Sequence, residues 1–240
     1  MKLHLASFSS DPELKNIEKC FYALESFYYI KEWQIPYIHK FRSFLLDSGA
    51  FTFISNSKST VDWKDYVRKY IDFINKYDID LFFEMDIDAI VGLDKVEKFR
   101  EIIEKYTGKR CIPVWHKSRG LQYWKDLCME YDYVAMGGIA IKDIPQRDYK
   151  YFSEFIKLAN DYHTKVHGLG FTGRTAQNYG FYSVDSTTWK SGRRFGQLHM
   201  FNGKRIEIIR PPGKRLINYK KADQHNFEEW IKYQRYLDSI

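Results

Sequence analysis

Cysteine is scarce in this sequence, and the three that occur, Cys20, Cys111 and Cys128, lie far apart. A disulfide framework needs more cysteines at closer spacing. No Cys-x-x-Cys or Cys-x-Cys pair is present, so the pattern does not support a structural zinc site. We therefore expect no metal centre and a reducing compartment, the cytoplasm.

Long apolar runs are also missing, since no stretch approaches the ~18 residues of a membrane span. The opening residues Met1–Ser7 contain neither an extended apolar region nor a cleavage-site pattern, so no secretory signal is expected. Repeats and Pro/Gly/Ser linkers are absent too. At 240 residues the chain is predicted to form one domain over residues 1–240, without a membrane partner.

Acidic residues are nearly missing from one segment. Between Lys190 and Lys221 there are ten Lys/Arg residues and a single acid, Glu207, so this segment carries a net charge of +9. Because the whole chain has a net charge of +7, the remaining residues together carry −2. Such a segment is typical of phosphate-backbone binding, and aromatic residues such as Phe195 lie among the charges, as base stacking requires. A solvated basic face is the alternative interpretation.

Short apolar runs recur along the chain, and most are nearly continuous, as in parallel strands buried on both faces. They are Leu3–Phe8, Phe44–Phe51, Leu81–Asp88, Cys111–Lys117, Tyr133–Ile139, Lys165–Phe171 and Phe181–Trp189. Helical spacing predominates between most of them and after the last. The predicted helices are Val61–Tyr77, Lys95–Tyr106, Asp148–Tyr162 and Asp223–Leu237.

This alternation predicts an α/β fold. Seven or eight strand–helix units in this length favour a TIM-like (β/α)8 barrel, with a doubly wound parallel sheet as the alternative. Residues Phe195–Phe201 and Lys204–Ile209 interrupt the alternation around Asn202-Gly203, which predicts a small β-hairpin insertion before a C-terminal helix.

Polar residues collect at the predicted carboxyl ends of the strands, where a TIM-like barrel has its active site. Three of these strands end in aspartate, at Asp47, Asp86 and Asp185. Two carboxylates on different strands suit glycosidic chemistry, one as nucleophile and one as acid/base. Glycines at such ends let backbone groups approach a polar ring. The other candidate positions are Ser48, Phe51, His116, Gly137, Gly138 and Gly168.

Each position also has a structural interpretation. Asp47 could bond its local backbone in a turn, Asp185 could cap a helix, and His116 could be a hydrogen-bonded structural histidine. Glu84, Asp86 and Asp88 would share one face of an extended strand. Because three buried acids on one face would be costly, we expect some of them to reach the barrel mouth.

Taken in order, these segments resemble the motifs of the tRNA-guanine transglycosylase family. The sequences Leu46–Phe51, Met85-Asp86, Gly137–Ala140 and His167–Gly170 resemble its Thr-Asp-Ser-Gly-Gly-Phe, Phe-Asp, Gly-Gly-Leu-Ala and Leu-Met-Gly-Val-Gly segments. The strongest match is Val184–Gln197, which is similar to the family's Phe-Asp-Cys nucleophile strand and the Ser-Gly-Arg-Asn-Gly-Gln that follows, one residue shorter here. The resemblance extends from residue 46 to about residue 209.

Three features depart from the tRNA enzymes. The chain is much shorter, it lacks their Cys-x-Cys-x-x-Cys…His zinc motif, and His116 stands where they have Gln. In these respects it resembles the phage-type branch, the 7-deazaguanine DNA transglycosylases, which insert bases such as preQ0 into DNA. The resemblance therefore implies DNA and a 7-deazaguanine base as partners, and the host cytoplasm as the location if the chain is phage-encoded.

The resemblance also implies roles for the candidate residues. Asp185 would attack C1′ of a deoxyguanosine, and Asp47 would protonate the leaving base and deprotonate the incoming one. The base pocket would comprise Asp86, His116, Gly137, Gly138, Gly168, Phe51 and Ser48, and the phosphate contacts would be Lys190, Arg193, Arg194, Lys204 and Arg205. The chemistry needs no cofactor and no metal.

Two alternatives remain open at this stage. The first is the same guanine exchange on tRNA, and the second is a catalytically inactive barrel that only binds nucleic acid. The presence of both Asp47 and Asp185 argues against the second. The sequence does not indicate an oligomeric state.

Overall fold

A seven-stranded parallel sheet forms the centre of the molecule. The computed structural model describes residues 1–49, 51–54, 61–171, 176–209 and 218–240. The strands are β1 (Lys2–Ala6), β2 (Tyr22–Ser26), β3 (Ser43–Asp47), β4 (Val114–Trp115), β5 (Tyr133–Met136), β6 (Lys165–Gly168) and β7 (Ser183–Ser186). Their order across the sheet is β3-β2-β1-β7-β6-β5-β4, and every pair is parallel.

The sheet curls, so that its two edge strands approach each other. Isolated parallel bridges join Leu46 of β3 to Phe82, and Phe83 to Ile112 just before β4. The amide of Phe83 donates to Leu46 O at 3.0 Å, and the amide of Ile112 donates to Phe82 O at 2.8 Å. The α/β prediction is therefore confirmed as a curled parallel sheet that forms a half-barrel. The predicted strand Leu81–Asp88 was too long, since only residues 82 and 83 make bridges.

Strand β2 is not among the strands that the sequence predicts. Its residues Tyr22–Ser26 include Ala, Leu and Glu, which are good helix formers, so the local preference does not indicate a strand. Pairing with β1 on one side and β3 on the other nevertheless makes it extended. Because it lies between two strands, four of its five residues are buried, including Glu25.

Helices cover the outside of the sheet. They are α1 (Phe51–Ile54), α2 (Trp63–Lys76), α3 (Asp88–Val91), α4 (Leu93–Thr107), α5 (Gly120–Glu130), α6 (Phe152–Asp161), α7 (Ser191–Phe195) and α8 (Tyr219–Ser239). Short 3-10 turns occur at Ile17–Lys19, Glu32–Lys40, Lys117–Arg119, Gln146–Tyr151, Ala176–Asn178 and Thr188–Lys190. Within the described ranges, every helix is too short or too polar to cross a lipid bilayer.

The four predicted helices are confirmed, with bounds that differ by a few residues. Helix α2 shows why the pattern works: the Asp62 carboxylate accepts from the amides of Lys64 and Asp65 and so caps the first turn. Val67, Ile71 and Ile74 then recur on one face and are buried.

The predicted hairpin and C-terminal helix are confirmed, and they pack on each other. Strands β8 (Leu198–Phe201) and β9 (Ile206–Ile209) pair antiparallel, joined by the turn Asn202–Arg205. His199 connects them to α8, because its Nδ1 accepts from the Trp230 indole at 2.6 Å. The Nε2 of the same imidazole lies 2.8 Å from Ser191 Oγ, and burial lowers the pKa of His199 to about 4.

Two apolar clusters stabilise the fold. The larger lies between the sheet and the helices and includes Tyr70, Phe99, Trp124, Phe152 and Trp189. The smaller lies on the concave face of the curled sheet, where successive strands each contribute one or two side chains. Its members are Ala6, Leu24, Leu45, Phe83, Ile112, Val114 and Ala135. The cavity described below lies above this inner cluster, at the carboxyl ends of the strands.

Tyr70 of α2 lies where Leu46 of β3 and the bridging residue Phe83 meet. Its hydroxyl is 3.1 Å from Leu46 O and 2.9 Å from Phe83 O, and the side chain is fully buried. We expect Tyr70→Phe to lower the free energy of unfolding by about 1–2 kcal/mol, because the buried Phe83 O loses its donor, whereas Leu46 O still accepts from the Phe83 amide. A Tm lower by roughly 2–8 °C in calorimetry checks this. Tyr106→Phe, at an exposed tyrosine, is the control, and equal effects at both positions would contradict the prediction.

Candidate active site

A cavity of about 890 Å³ opens at the carboxyl ends of the strands. It brings together six of the residues that the sequence analysis selected, namely Asp47, Asp86, His116, Gly137, Gly138 and Asp185. They follow four different strands and the bridging residues 82–83, so only the curl of the sheet makes them neighbours. Its size lies within the range of small-molecule binding sites.

Asp185 lies near the end of β7, and its side chain is nearly buried. One carboxylate oxygen, Oδ1, accepts from the amide of Gly170 at 2.6 Å and lies 3.2 Å from Nε2 of His167. Gly170 has a φ of +64°, and a Cβ at this position would come within 2.6 Å of the Cβ of Ala140. Glycine is therefore required where the chain turns its amide toward the carboxylate.

Asp47 ends β3 on the other side of the cavity. Burial, followed by the negative charges of Asp86 and Asp185, raises the pKa of Asp47 to about 7 against the opposing effect of the amides of Gly49 and Ser48. No cation contacts Asp47 in the part of the chain that the structure describes. A carboxyl group with a pKa near neutrality can both give and take a proton at physiological pH.

Asp86 forms a short hydrogen bond with His116 across one wall of the cavity. The Asp86 Oδ1 to His116 Nε2 distance is 2.6 Å. Burial alone would lower the pKa of His116, but the hydrogen bond and charge of Asp86 outweigh it and raise this pKa. A Cβ at Gly137 would lie 2.7 Å from Cε1 of His116, so only glycine lets the imidazole occupy this position.

The three acids that the sequence placed on one face have separate environments. Glu84 is fully buried on the helix side, 3.0 Å from Arg119 and 3.2 Å from Arg100. Asp86 and Asp88 line the cavity, as expected of some of these acids. The prediction that the three side chains share one face was wrong, because the extended backbone ends after residue 83 and Asp88 begins α3.

Asp86, Asp88 and His116 also place three ligand-type atoms within 4.8 Å of one another. Arg119 lies among them, 3.0 Å from the Asp88 carboxylate and 3.9 Å from that of Asp86. Burial alone would raise the pKa of Asp88, but the Arg119 guanidinium lowers it. Because Arg119 already supplies the positive charge, this group of residues is better described as an ion-pair network than as a cation site.

Two predicted site residues, Ser48 and Gly168, do not line the cavity. Ser48 is buried below the cavity, where its carbonyl accepts from the Tyr66 hydroxyl at 2.6 Å. Gly168 packs against Phe181 on the sheet and does not line the cavity. The side chain of Phe51 is outside the described residues.

Lys190 differs most from expectation among the predicted phosphate contacts. It is buried, with Nζ 2.8 Å from the Asp11 carboxylate and 2.9 Å from Ser7 O. Its ammonium group therefore pairs with groups inside the protein and does not face a phosphate in solvent. Lys204 and Arg205 are exposed at the hairpin turn, as the prediction requires, and Arg205 lies 3.4 Å from Glu207. Arg193 and Arg194 belong to α7, and their side chains are outside the described residues.

Two buried residues of the site were missed by the sequence analysis. Glu25 lines the cavity from β2, accepts from the amide of Phe8, and has a pKa that burial raises to about 7. It was missed because its strand was not predicted. His167 contacts Asp185 from β6. Its position could have identified it, because His167 comes just before Gly168 in a segment that the family resemblance assigns to the base pocket.

The sequence matches no family model and no curated protein. The case for the function of this chain therefore depends on the motifs described above and on the geometry of the cavity.

The raised pKa of Asp47 predicts a stability that depends on pH. Folding raises this pKa from an ordinary 3.8 to about 7, so between these values the folded chain keeps a proton that the unfolded chain releases. Stability should therefore fall as pH rises through this window. Asp47→Asn should remove the part of the dependence that Asp47 causes and stabilise the protein above neutrality by on the order of 2–4 kcal/mol. A smaller dependence should remain, because burial also raises the pKa of Glu25 to about 7. Denaturant titrations across the window measure it, and a mutant effect that is the same at every pH would contradict it.

Proposed function

We propose that this protein exchanges guanine in DNA for a 7-deazaguanine base through a covalent aspartyl-sugar intermediate. The observation that carries the proposal is the pair Asp185 and Asp47, two carboxyl groups in one cavity with different environments. Asp185 has two donors on one oxygen, whereas burial and its acidic neighbours raise the pKa of Asp47 to about 7. A nucleophile and an acid/base need this difference.

In the first step the free oxygen of Asp185 attacks C1′ of the target deoxyguanosine. A C–O ester bond forms as the C1′–N9 bond breaks, and the electron pair of the broken bond leaves with the guanine. Protonated Asp47 gives its proton to a ring nitrogen of the departing base, which neutralises it. The target nucleotide has to leave the helical stack to reach the cavity.

In the second step the incoming 7-deazaguanine replaces guanine. Asp47, now a carboxylate, takes the proton from the ring nitrogen that attacks C1′. The new C–N bond forms as the ester C–O bond breaks, and the electron pair returns to Asp185. Both displacements use carboxylate chemistry.

Asp86 and His116 are proposed to hold the base. The Asp86 carboxylate would accept hydrogen bonds from the N–H groups on the Watson–Crick edge of a guanine-like ring, and His116 orients it through the 2.6 Å hydrogen bond. Gly137 and Gly138 expose backbone groups at the same wall of the cavity. Phe51 remains proposed as a stacking partner.

The curled sheet is proposed to be an eight-stranded (β/α)8-type barrel. The residues that bridge β3 and β4 would count as its short additional strand. Support comes from the inner apolar cluster, to which β1 to β5 and the bridging residue Phe83 contribute, and from the cavity at the carboxyl ends of the strands. The bridges at both edges disfavour the doubly wound alternative, whose edge strands stay apart.

DNA is the proposed polymer, with Lys204, Arg205, Arg193 and Arg194 as phosphate contacts. The hairpin turn that carries Lys204 and Arg205 is exposed to solvent, where the sugar-phosphate backbone of DNA can reach it. The missing zinc motif removes a part that the tRNA enzymes have, whereas the strand-end chemistry is retained. tRNA is the alternative substrate.

Asp185→Asn tests the nucleophile. We expect it to abolish guanine exchange, because an amide is a poor nucleophile, while DNA binding is retained. In the wild type, a protein–DNA adduct that survives denaturation should be visible on a gel, and the mutant should form none. Asp143→Asn, another cavity-lining aspartate, is the matched control and should keep both exchange and adduct. A mutant adduct at wild-type yield would exclude Asp185 as the nucleophile.

The two half-reactions should depend on pH in opposite directions. Guanine release needs protonated Asp47, so its single-turnover rate should fall above about pH 7, whereas capture of the incoming base needs the carboxylate and should fall below it. Asp47→Asn should slow both by roughly 10²–10⁴-fold. Near-normal rates in this mutant would show that Asp47 is not the acid/base and would favour its alternative role, in which it bonds the local backbone of a turn.

Incubation with labelled 7-deazaguanine and either DNA or tRNA tests the polymer. We expect label in deoxyguanosine sites of DNA and none in tRNA, because the docking parts of the tRNA enzymes are missing from this sequence. Incorporation into tRNA alone would favour the alternative substrate. Binding of DNA without exchange in either polymer would favour the inactive barrel.

A further inference from the structure

A chain of four polar side chains runs through the inside of the curled sheet and ends at Asp185. Tyr133 Oη lies 2.5 Å from Ser183 Oγ, which lies 2.5 Å from Nδ1 of His167, and Nε2 of His167 lies 3.2 Å from Asp185 Oδ1. The sheet register produces this order. His167 of β6 pairs directly with Ser183 of β7, and Asp185 lies two residues further along on the same face.

The hydrogen bonds of the chain favour one tautomer of His167. A carboxylate only accepts, so Nε2 has to carry the proton that bonds to Asp185, and Nδ1 of the neutral ring is then an acceptor. Ser183 donates its hydroxyl proton to Nδ1 and accepts from the Tyr133 hydroxyl. Every polar group of the chain is satisfied in this direction, whereas an imidazolium would leave one hydroxyl proton, that of Ser183 or that of Tyr133, without an acceptor among these four residues.

We propose that His167 is a positioning residue that selects the attacking oxygen of Asp185. This inference rests on the proposed function. His167 Nε2–H and the Gly170 amide both donate to Oδ1, so Oδ1 is held and Oδ2 is left for the bond to C1′. The two donors also stabilise the negative charge that the Asp185 carboxylate regains when the ester breaks, which favours the second displacement.

The neighbouring residue His4 provides a matched control. It is as buried as His167, its ring centroid lies 5.8 Å from that of His167, and it pairs with Asp185 in the β1–β7 register. Its Nε2, however, lies 3.3 Å from Ser43 Oγ rather than against the Asp185 carboxylate. Loss of a buried imidazole can therefore be compared with loss of the donor to Asp185.

The test compares His167→Leu, His167→Gln and His4→Leu in single-turnover guanine release and DNA binding. His167→Leu should slow release by roughly 10²-fold, as expected when a reacting group loses its orientation toward the atom that it attacks, with the DNA Kd unchanged. His167→Gln should recover at least about tenfold of this loss, because its side-chain amide supplies an N–H donor close to the position of Nε2. His4→Leu should release guanine at nearly the wild-type rate.

A wild-type release rate in His167→Leu would overturn the proposal, as would equal losses in the His167→Leu and His4→Leu variants. NMR on the unmodified full chain tests the tautomer without any variant that could misfold, and His167 should show a protonated Nε2 and an unprotonated Nδ1. Ser183→Ala should disturb this tautomer. The opposite tautomer in the wild type would also overturn the proposal.

The NMR measurement does not depend on activity, so it separates this inference from the proposed function. If the wild type exchanges no base in DNA or tRNA, the proposed function fails. The tautomer and its dependence on Ser183 would then still decide whether the imidazole orients the carboxylate.

Discussion

Three of the carboxyl groups that line the cavity, those of Asp47, Asp86 and Asp185, repel one another, and the rest of the site follows from how this repulsion is offset. Negative charges held in a partly buried cavity oppose one another unless each has a partner. Asp86 has His116, and Asp185 has the Gly170 amide and His167. Asp47 has no described cation against it, so burial and the two neighbouring charges raise its pKa to about 7. The acid/base character of Asp47 thus results first from its burial and then from the charges of the other two carboxylates.

The partners of the carboxylates are themselves held from outside the cavity. Arg119 lies between the fully buried Glu84 and Asp88, and it fixes the loop that carries Asp86. Buried ion pairs of this kind contribute little net stability, but removal of one member leaves an uncompensated charge. The network therefore specifies the conformation of the cavity wall more than it stabilises the fold.

The loop after β1 is fixed by charge in a similar way. Lys190 binds Asp11 and Ser7 O, and the amide of Phe8 donates to Glu25 at the edge of the cavity. At the opposite end of the sheet, Gln234 of α8 donates to Leu3 O at 2.7 Å and to Tyr22 O at 2.8 Å, and accepts from the Phe21 amide at 2.6 Å. Lys190 and Gln234 thus hold β1 and β2 in place from the two ends of the sheet.

The sequence by itself determined the features that depend on local pattern. Hydrophobic periodicity predicted the parallel strands and helices such as α2, the Asn-Gly pair predicted the hairpin, and strand-end aspartates identified Asp47, Asp86 and Asp185. Only the tertiary structure decided the rest. Strand β2 is extended because its neighbours pair with it, Lys190 is neutralised by a residue about 180 positions away, and His167 reaches Asp185 because β6 and β7 are adjacent. These contacts join residues far apart in the chain, and neither propensity nor spacing reports which groups will face each other or how far burial will shift their proton affinity.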